Sequence, residues 1–151
     1  TAIRRESWTI IIMAYFNRQA YQACDNKAKT AVRAYLDSKG IFTNIQEDYG
    51  PDIESWSKVY HEVEIKSSWE AKWPISWSTI HVPYRKKKYL NGGKKVMFWV
   101  LNKDCTQAWH IDGKHMKEEY VNNISNTRYP EGEDFYDIPI SLCQLIEVAK
   151  V

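Results

Sequence analysis

Residues 58–68, KVYHEVEIKSS, alternate between two kinds of side chain and so predict a β-strand with two different faces. One face carries Val59, His61, Val63 and Ile65. The other carries Tyr60, Glu62, Glu64 and Lys66. The first face suits a core, where His61 is expected to be packed rather than chemically active. The second face holds two acids and a lysine side by side, and this is the feature that needs an explanation.

An amphipathic helix precedes this strand. In residues 25–40, DNKAKTAVRAYLDSKG, apolar residues recur at helical spacing. Asp25 or Asn26 can cap the start of the helix, and Gly40 is expected to end it. The other elements predicted before the alternating strand are a helix over roughly residues 8–22 and strands over residues 41–48 and 52–56.

The rest of the chain predicts further strands and then a closing helix. Residues 94–104 resemble a buried strand, and residues 106–112 its partner. Residues 115–137 are polar and irregular, with one short helix, and residues 141–148 predict a short helix with Ser141 as N-cap. This order indicates the α/β class, with a mixed β-sheet flanked by helices.

Size and composition fit one domain of 151 residues. We divide it into a helical part (8–39), a sheet (about 41–112) and C-terminal elements (113–151). Three widely spaced cysteines predict neither a disulfide framework nor a paired-cysteine zinc site. The apolar run at residues 8–16 is too short to span a bilayer, and no small-residue cleavage site follows it cleanly. We therefore expect a cytoplasmic or otherwise intracellular protein without a membrane partner.

The acids of the alternating strand have a third carboxylate within reach. Asp52 lies on the preceding short strand, and an antiparallel turn near Ser57 would bring it beside Glu64. Glu62 shares the face and is a rival to Glu64, but only Glu64 stands two positions before Lys66. The simpler interpretation is a solvated sheet face with a cross-strand ion pair.

A divalent cation would relieve the repulsion between such carboxylates. Mg²⁺ suits a half-open site with oxygen ligands, and we expect Asp52, Glu64 and the backbone carbonyl of Ile65 to be those ligands, with Mn²⁺ able to substitute. The metal lowers the pKa of a bound water and stabilises charge on a phosphate. Lys66 would then orient the attacking water or neutralise the phosphate.

The segments PD at 51–52 and EIK at 64–66 resemble the signature of the PD-(D/E)xK nuclease superfamily, which has the restriction-endonuclease-like fold. The resemblance covers about residues 25–112. It implies a helix, a mixed sheet of about four strands, further helices, and Mg²⁺-dependent cleavage of phosphodiester bonds. The matching positions make Asp52 and Glu64 the metal-binding acids and Lys66 the catalytic lysine. Many members carry a Glu on the first helix, where this sequence offers Asp25, Lys27 and Lys29.

The resemblance predicts an endonuclease whose substrate is double-stranded DNA, in restriction, intron homing, repair or phage DNA processing. Cutting both strands with one site per chain needs two copies, so we expect a homodimer or a higher homo-oligomer. A basic run at residues 85–95 is the expected phosphate-binding surface although the net charge is only +2. Its predicted contacts are Tyr84, Arg85, Lys86, Lys87, Lys88, Lys94 and Lys95.

Two alternatives belong to other classes of protein. One is a nucleic-acid-binding module that uses the basic run without catalysis. The other is a protein-interaction domain with an interface made from the tryptophans at positions 69, 73 and 77, although a stripe with this spacing is as typical of a core. His110 and His115 lack the spacing of zinc ligands with any cysteine.

Overall fold

A computed structural model describes residues 26–44, 52–125 and 130–148 of the protein. Helix α1 covers residues 26–38. The remaining regular elements follow in chain order: β1 (Ile53–Glu54), β2 (Tyr60–Ile65), β3 (Thr79–Pro83), α2 (Lys87–Leu90), β4 (Val96–Leu101), β5 (Gln107–Asp112), β6 (Val121–Ile124), β7 (Glu133–Pro139) and β8 (Gln144–Glu147). Short 3₁₀ helices lie at Tyr84–Lys86, Gly113–His115, Glu118–Tyr120 and Ile140–Leu142.

Helix α1 ends as the sequence predicts. Its buried stripe consists of Ala28, Val32 and Leu36, one residue per turn. After residue 38 the chain turns at Gly40, whose φ of +74° is the left-handed conformation that glycine adopts without strain. The helix predicted over residues 8–22 and the cap predicted at Asp25 lie outside the described residues.

The strands form two sheets. The larger is mixed and has the order β1-β2-β4-β5-β8; β2 and β4 run parallel, and the other neighbours are antiparallel. The smaller is antiparallel, with the order β3-β7-β6. The expected α/β class and mixed sheet are confirmed, as is the pairing of β4 with β5. In the described residues, however, one face of the mixed sheet is covered mainly by the second sheet and not by helices.

Two hydrophobic clusters lie on opposite faces of the mixed sheet. On one face α1 packs against Val63 of β2 and against Trp99 and Leu101 of β4. On the other face Phe98 and Val100 of β4 pack with residues of the second sheet. Strand β4 is therefore buried on both faces, as is usual for a strand with a parallel neighbour inside a layered fold.

The tryptophan stripe is part of this second cluster. Trp69 is fully buried, and its ring meets Trp73 edge-on at 5.1 Å between centroids. Trp73 in turn meets Trp77 at 5.1 Å and Trp109 of β5 at 5.6 Å, again edge-on. These contacts confirm that the stripe packs in the core at Trp69 and against it at Trp73 and Trp77.

The C-terminal predictions were partly wrong. Residues 141–148 form the end of a 3₁₀ helix and then strand β8, not a helix capped by Ser141. Ile146 pairs with Ala108 of β5 and is buried, whereas Leu145 is exposed, so the segment alternates like an edge strand. Strands β3, β6 and β7 were also missed. The pairing partner of β3 is distant in sequence, whereas β6 and β7 pair with each other inside a segment whose sequence is polar and irregular. Of the strand predicted over residues 41–48, only 41–44 is described, where Thr43 makes an isolated bridge to Ser55.

None of the described residues belongs to a helix that is both long and apolar enough to cross a membrane.

Two histidines are packed around Trp99 on the α1 side of the sheet. The indole Nε1 of Trp99 donates to Nδ1 of the buried His61 at 3.0 Å, and His110 stacks on the same indole at 4.0 Å. Burial, with a contribution from His110, lowers the pKa of His61 to about 4. Burial also lowers the pKa of His110 to about 4, with Asp112 opposing the shift and Lys95 adding to it. His61 is thus a packed residue, as the alternating pattern predicted.

These histidines predict acid-sensitive stability. An unfolded histidine titrates near 6.5, so between about pH 6.5 and 4 the unfolded chain binds more protons than the folded one, and stability falls as the pH drops through that window. We expect His61→Gln and His110→Gln each to flatten the dependence of the melting temperature on pH over that range. Wild-type slopes in both core variants would contradict this assignment.

Candidate active site

The pairing of β1 with β2 decides which carboxylates meet. The strands are antiparallel, as predicted, with Ile53 opposite His61 and Glu54 opposite Tyr60. One step further, the backbone N–H of Asp52 donates to Glu62 Oε2 at 2.8 Å, and Asp52 Oδ2 accepts from the N–H of Val63 at 2.8 Å. Glu62, and not Glu64, is therefore the direct neighbour of Asp52. A turn centred on Ser57 already implies this register, because it pairs positions equally far before and after residue 57.

A lysine from the crossover segment lies between the two glutamates of β2. Nζ of Lys86 is 2.8 Å from Glu62 Oε1 and 3.6 Å from Glu64 Oε1. The Glu62 side chain is 1% exposed and that of Lys86 is 15% exposed, whereas Glu64 is 29% exposed. The interaction is therefore a buried ion pair with Glu62 that extends to a more open Glu64. Lys86 ends the 3₁₀ helix Tyr84–Lys86, directly before α2.

The charges of this cluster are strongly coupled. Burial, together with the charge of Asp52, raises the pKa of Glu62, and Lys86 only partly opposes the shift. Burial likewise raises the pKa of Glu64, against the effects of Lys86 and Arg85. For Lys86, burial alone would lower the pKa, but the surrounding carboxylates outweigh burial and the net shift is upward. The carboxylates therefore stabilise the positive charge of Lys86 within the site.

Lys66 lies beyond the acids, at the end of β2. Its backbone N–H donates to the carbonyl of Leu101, and its Nζ lies 5.0 Å from the centre of the Trp77 ring. Burial lowers the pKa of Lys66. Within the described residues Lys66 forms no ion pair, so its ammonium rests on an aromatic face and not on a carboxylate.

His81 of β3 is a further polar group on this side and was not singled out from the sequence. Its Nε2 lies 3.1 Å from Asp137 Oδ1 of β7. Burial lowers the pKa of His81; Asp137 opposes this shift, and the charge of Lys66 adds to it. The second sheet therefore contributes a histidine beside the Lys66 end of the site.

The oxygen atoms of the site match the ligands that Mg²⁺ prefers. In the described residues, however, the Lys86 ammonium lies beside the carboxylates of Glu62 and Glu64. No group of three His, Cys, Asp or Glu side chains in residues 26–44, 52–125 and 130–148 converges as a metal-ligand set. Mg²⁺ needs fewer, since one or two carboxylates and several waters suffice. Asp52, Glu64 and the Ile65 carbonyl remain suitable donors by their chemistry, and Lys29 of α1 lies 3.4 Å from Asp52 Oδ1.

The predicted phosphate-binding residues are largely engaged with acids. Arg85 pairs with Glu133 at 3.0 Å, and Lys87 pairs with Glu118 at 2.7 Å. The remaining contacts are Tyr84 with Glu118, Lys94 with Glu54, Lys95 with Asp112, and Lys88 with the Tyr89 ring. Exposed pairs of this kind contribute little to stability, so a phosphate can replace the carboxylate at low cost. Lys86 differs from the others because it points inward to Glu62.

Comparisons with protein-family models, with curated proteins and with solved structures found no significant match to this chain.

The buried pair predicts a large difference between two glutamates. Glu62→Ala leaves the Lys86 ammonium and the Asp52 N–H without their partner, and should lower the free energy of unfolding by about 3 kcal/mol. Glu70, which is 75% exposed and 3.8 Å from Lys103, is the control: Glu70→Ala should cost less than about 1 kcal/mol. Urea unfolding measures both. Equal losses would show that the Glu62–Lys86 pair does not hold the site together.

Proposed function

We propose that the chain is a metal-dependent endonuclease of the PD-(D/E)xK type that hydrolyses phosphodiester bonds of double-stranded DNA. The observation that supports this most is the shared face of β1 and β2. Asp52, Glu62 and Glu64 cluster there, and Lys66 follows two positions after Glu64. An ordinary solvated sheet face would not bury a glutamate to 1% exposure or raise the pKa of two of them.

The fold is compatible with this proposal. A helix leads into an antiparallel strand pair that carries the acids, and a crossover then returns the chain to a parallel neighbour of β2. A helix followed by a mixed sheet is the part of the expected fold that supports the proposal; the further helices that the resemblance implies are not among the described residues of this region, apart from the short α2. The second sheet, β3-β7-β6, is an addition to that expectation.

Each residue of the site has a role in the proposed reaction. Asp52, Glu64 and the carbonyl of Ile65 would hold Mg²⁺ or Mn²⁺, which when bound lowers the pKa of a water ligand and stabilises charge on the phosphate. Lys66 lies at the end of the same strand with its ammonium on Trp77, where it can orient the attacking water or offset the phosphate charge. The contact with the Trp77 ring positions the Lys66 ammonium and leaves its charge unneutralised.

The DNA backbone would be bound by the basic run around α2. Arg85, Lys87 and Lys88 lie on the segment that carries Lys86 into the site, and Lys94 and Lys95 follow before β4. Binding through these residues releases counterions and is therefore salt-dependent. Cleavage of both strands requires a second copy of the chain, so a homodimer or higher homo-oligomer is part of the proposal.

A second candidate function rests on Lys86. Because its ammonium already neutralises Glu62 and approaches Glu64, the acids can also be understood as a structural ion-pair network that needs no metal. The chain would then be a nucleic-acid-binding module without catalysis. Cleavage of plasmid DNA separates the two functions, since only the nuclease converts supercoiled plasmid to nicked or linear forms, and only with Mg²⁺ or Mn²⁺ present.

The acids give the first test. Asp52→Asn and Glu64→Gln keep the size of each side chain but remove the charge of a metal ligand, so each should abolish Mg²⁺-dependent cleavage of plasmid DNA. Circular dichroism and DNA binding should stay near wild type. Glu147→Gln, at the opposite edge of the mixed sheet on β8, should cleave normally. Full activity in either site variant would remove that residue from the metal site.

Lys66 tests the mechanism separately. Lys66→Met keeps an aliphatic stem against Trp77 but removes the charge, and should reduce single-turnover cleavage by roughly a hundredfold or more. Binding of DNA in the presence of Ca²⁺ should change little, because the acids are intact. Lys103→Met, which alters an exposed lysine paired with Glu70, is the matched control. Cleavage at a near-normal rate in Lys66→Met would exclude the proposed role of the ammonium.

A further inference from the structure

We infer that Lys86 is a built-in counter-cation of the candidate active site, which a divalent metal must displace before it can bind. The inference rests on the proposed function, since it takes the carboxylates of β1 and β2 as metal ligands. It adds a role for a residue that the sequence places among the phosphate contacts. Under this inference Lys86 is a positioning residue: it sets how tightly the carboxylates hold a metal.

Both oxygens of Glu62 are already used. Oε2 accepts from the N–H of Asp52, and Oε1 accepts from the ammonium of Lys86, each at 2.8 Å. A buried carboxylate needs such partners, because desolvation without compensation is costly. The Lys86 ammonium also lies 3.6 Å from Glu64 Oε1, which is an oxygen proposed to bind the metal.

Lys86 and the metal cannot both hold these positions. A divalent ion bound to Glu64 and Asp52 would lie within a few ångströms of the Lys86 ammonium, and like charges at that distance repel strongly in a partly buried site. Metal binding therefore has to move Lys86 away from Glu64. When no metal is bound, Lys86 neutralises part of the negative charge of the site. The same interaction lowers the affinity of the site for a metal.

The surroundings of Lys86 allow this movement. The lysine stem is flexible, and the ring of Tyr89 lies 5.9 Å from Nζ, so a second favourable position for the ammonium is close by. Arg85 directly precedes Lys86. Its Nη2 lies 3.8 Å from Glu64 Oε1, and its Nη1 pairs more closely with Glu133. The displaced ammonium therefore stays beside Arg85 at the edge of the site, where the DNA backbone is proposed to lie.

The first experiment uses the wild-type protein and Ca²⁺ as the probe. Lysines are labelled with an amine-reactive reagent, and the extent at each position is measured by mass spectrometry with and without Ca²⁺. Labelling of Lys86 should rise several-fold on addition of Ca²⁺, because its ammonium leaves the buried pair. Lys103 and Lys114, which are exposed, should not change. Unchanged or reduced labelling of Lys86 with bound Ca²⁺ would overturn the inference.

The second experiment measures Ca²⁺ affinity by calorimetry in the absence of DNA. Lys86→Met removes the competing charge and should bind Ca²⁺ on the order of tenfold more tightly than wild type, a modest value for the coupling of close charge pairs. Lys114→Met should bind as wild type does. If Lys86→Met is too unstable to study, the comparison moves to a Glu62→Gln background, where Lys86→Met leaves a neutral pair and should still tighten binding through Glu64.

The outcomes separate this inference from the proposed function. Tighter Ca²⁺ binding by Lys86→Met supports the inference. Equal or weaker binding by Lys86→Met, with wild type still binding Ca²⁺, overturns the inference and leaves the nuclease proposal intact. Failure of every variant and of wild type to bind Ca²⁺ overturns both, because there would then be no metal for Lys86 to oppose.

Discussion

The buried charge of Glu62 is the constraint on which the candidate site depends. A carboxylate with 1% exposure must be compensated, and the chain does so with two groups from different elements: the N–H of Asp52 beside β1 and the ammonium of Lys86 before α2. Glu62 therefore connects the edge of the mixed sheet to the crossover segment. The same compensation fixes where Asp52 and Glu64 lie relative to any cation that enters.

The topology explains why a basic segment reaches the acids at all. Strands β2 and β4 are parallel, so the chain has to return from one end of the sheet to the other through residues 66–95. That crossover contains the tryptophan stripe, β3 and α2. Trp69, Trp73 and Trp77 anchor its first part in the core, and β3 pairs with β7 in the second sheet. Lys86 is delivered to Glu62 because the segment before β4 passes over the face of β2.

The elements that the sequence predicted well are those with local signals. The alternation in residues 58–68 predicted β2, and the apolar spacing with Gly40 predicted the end of α1. The register between β1 and β2 is also encoded locally, in the symmetry of the turn at Ser57, whereas the spacing of Glu64 to Lys66 carries no information on that register. Only that symmetry identifies Glu62 as the neighbour of Asp52.

What the sequence did not reveal depends on contacts between distant segments. The acids that pair with the basic run include Glu118 and Glu133. They lie in a region whose strands, among the described residues, pair with β3 and with each other. The sequence of β8 resembles a helix because its few apolar residues fit the helical spacing as well as the alternating spacing of a strand. Pairing with β5 makes the segment a strand. Long-range pairing outweighs local propensity in such short segments.

Lys86 and Lys66 illustrate how one type of side chain can serve two purposes. Lys86 is drawn into carboxylates, which raise its pKa and hold it protonated. Lys66 rests on Trp77 without a carboxylate partner in the described residues, and burial lowers its pKa. Under the proposed function, a lysine tied to the metal ligands would be poorly placed to act on water or phosphate, whereas one on an aromatic face remains available. The division between them follows from the fold, since Lys66 directly follows the strand that carries the acids and Lys86 reaches them from the crossover.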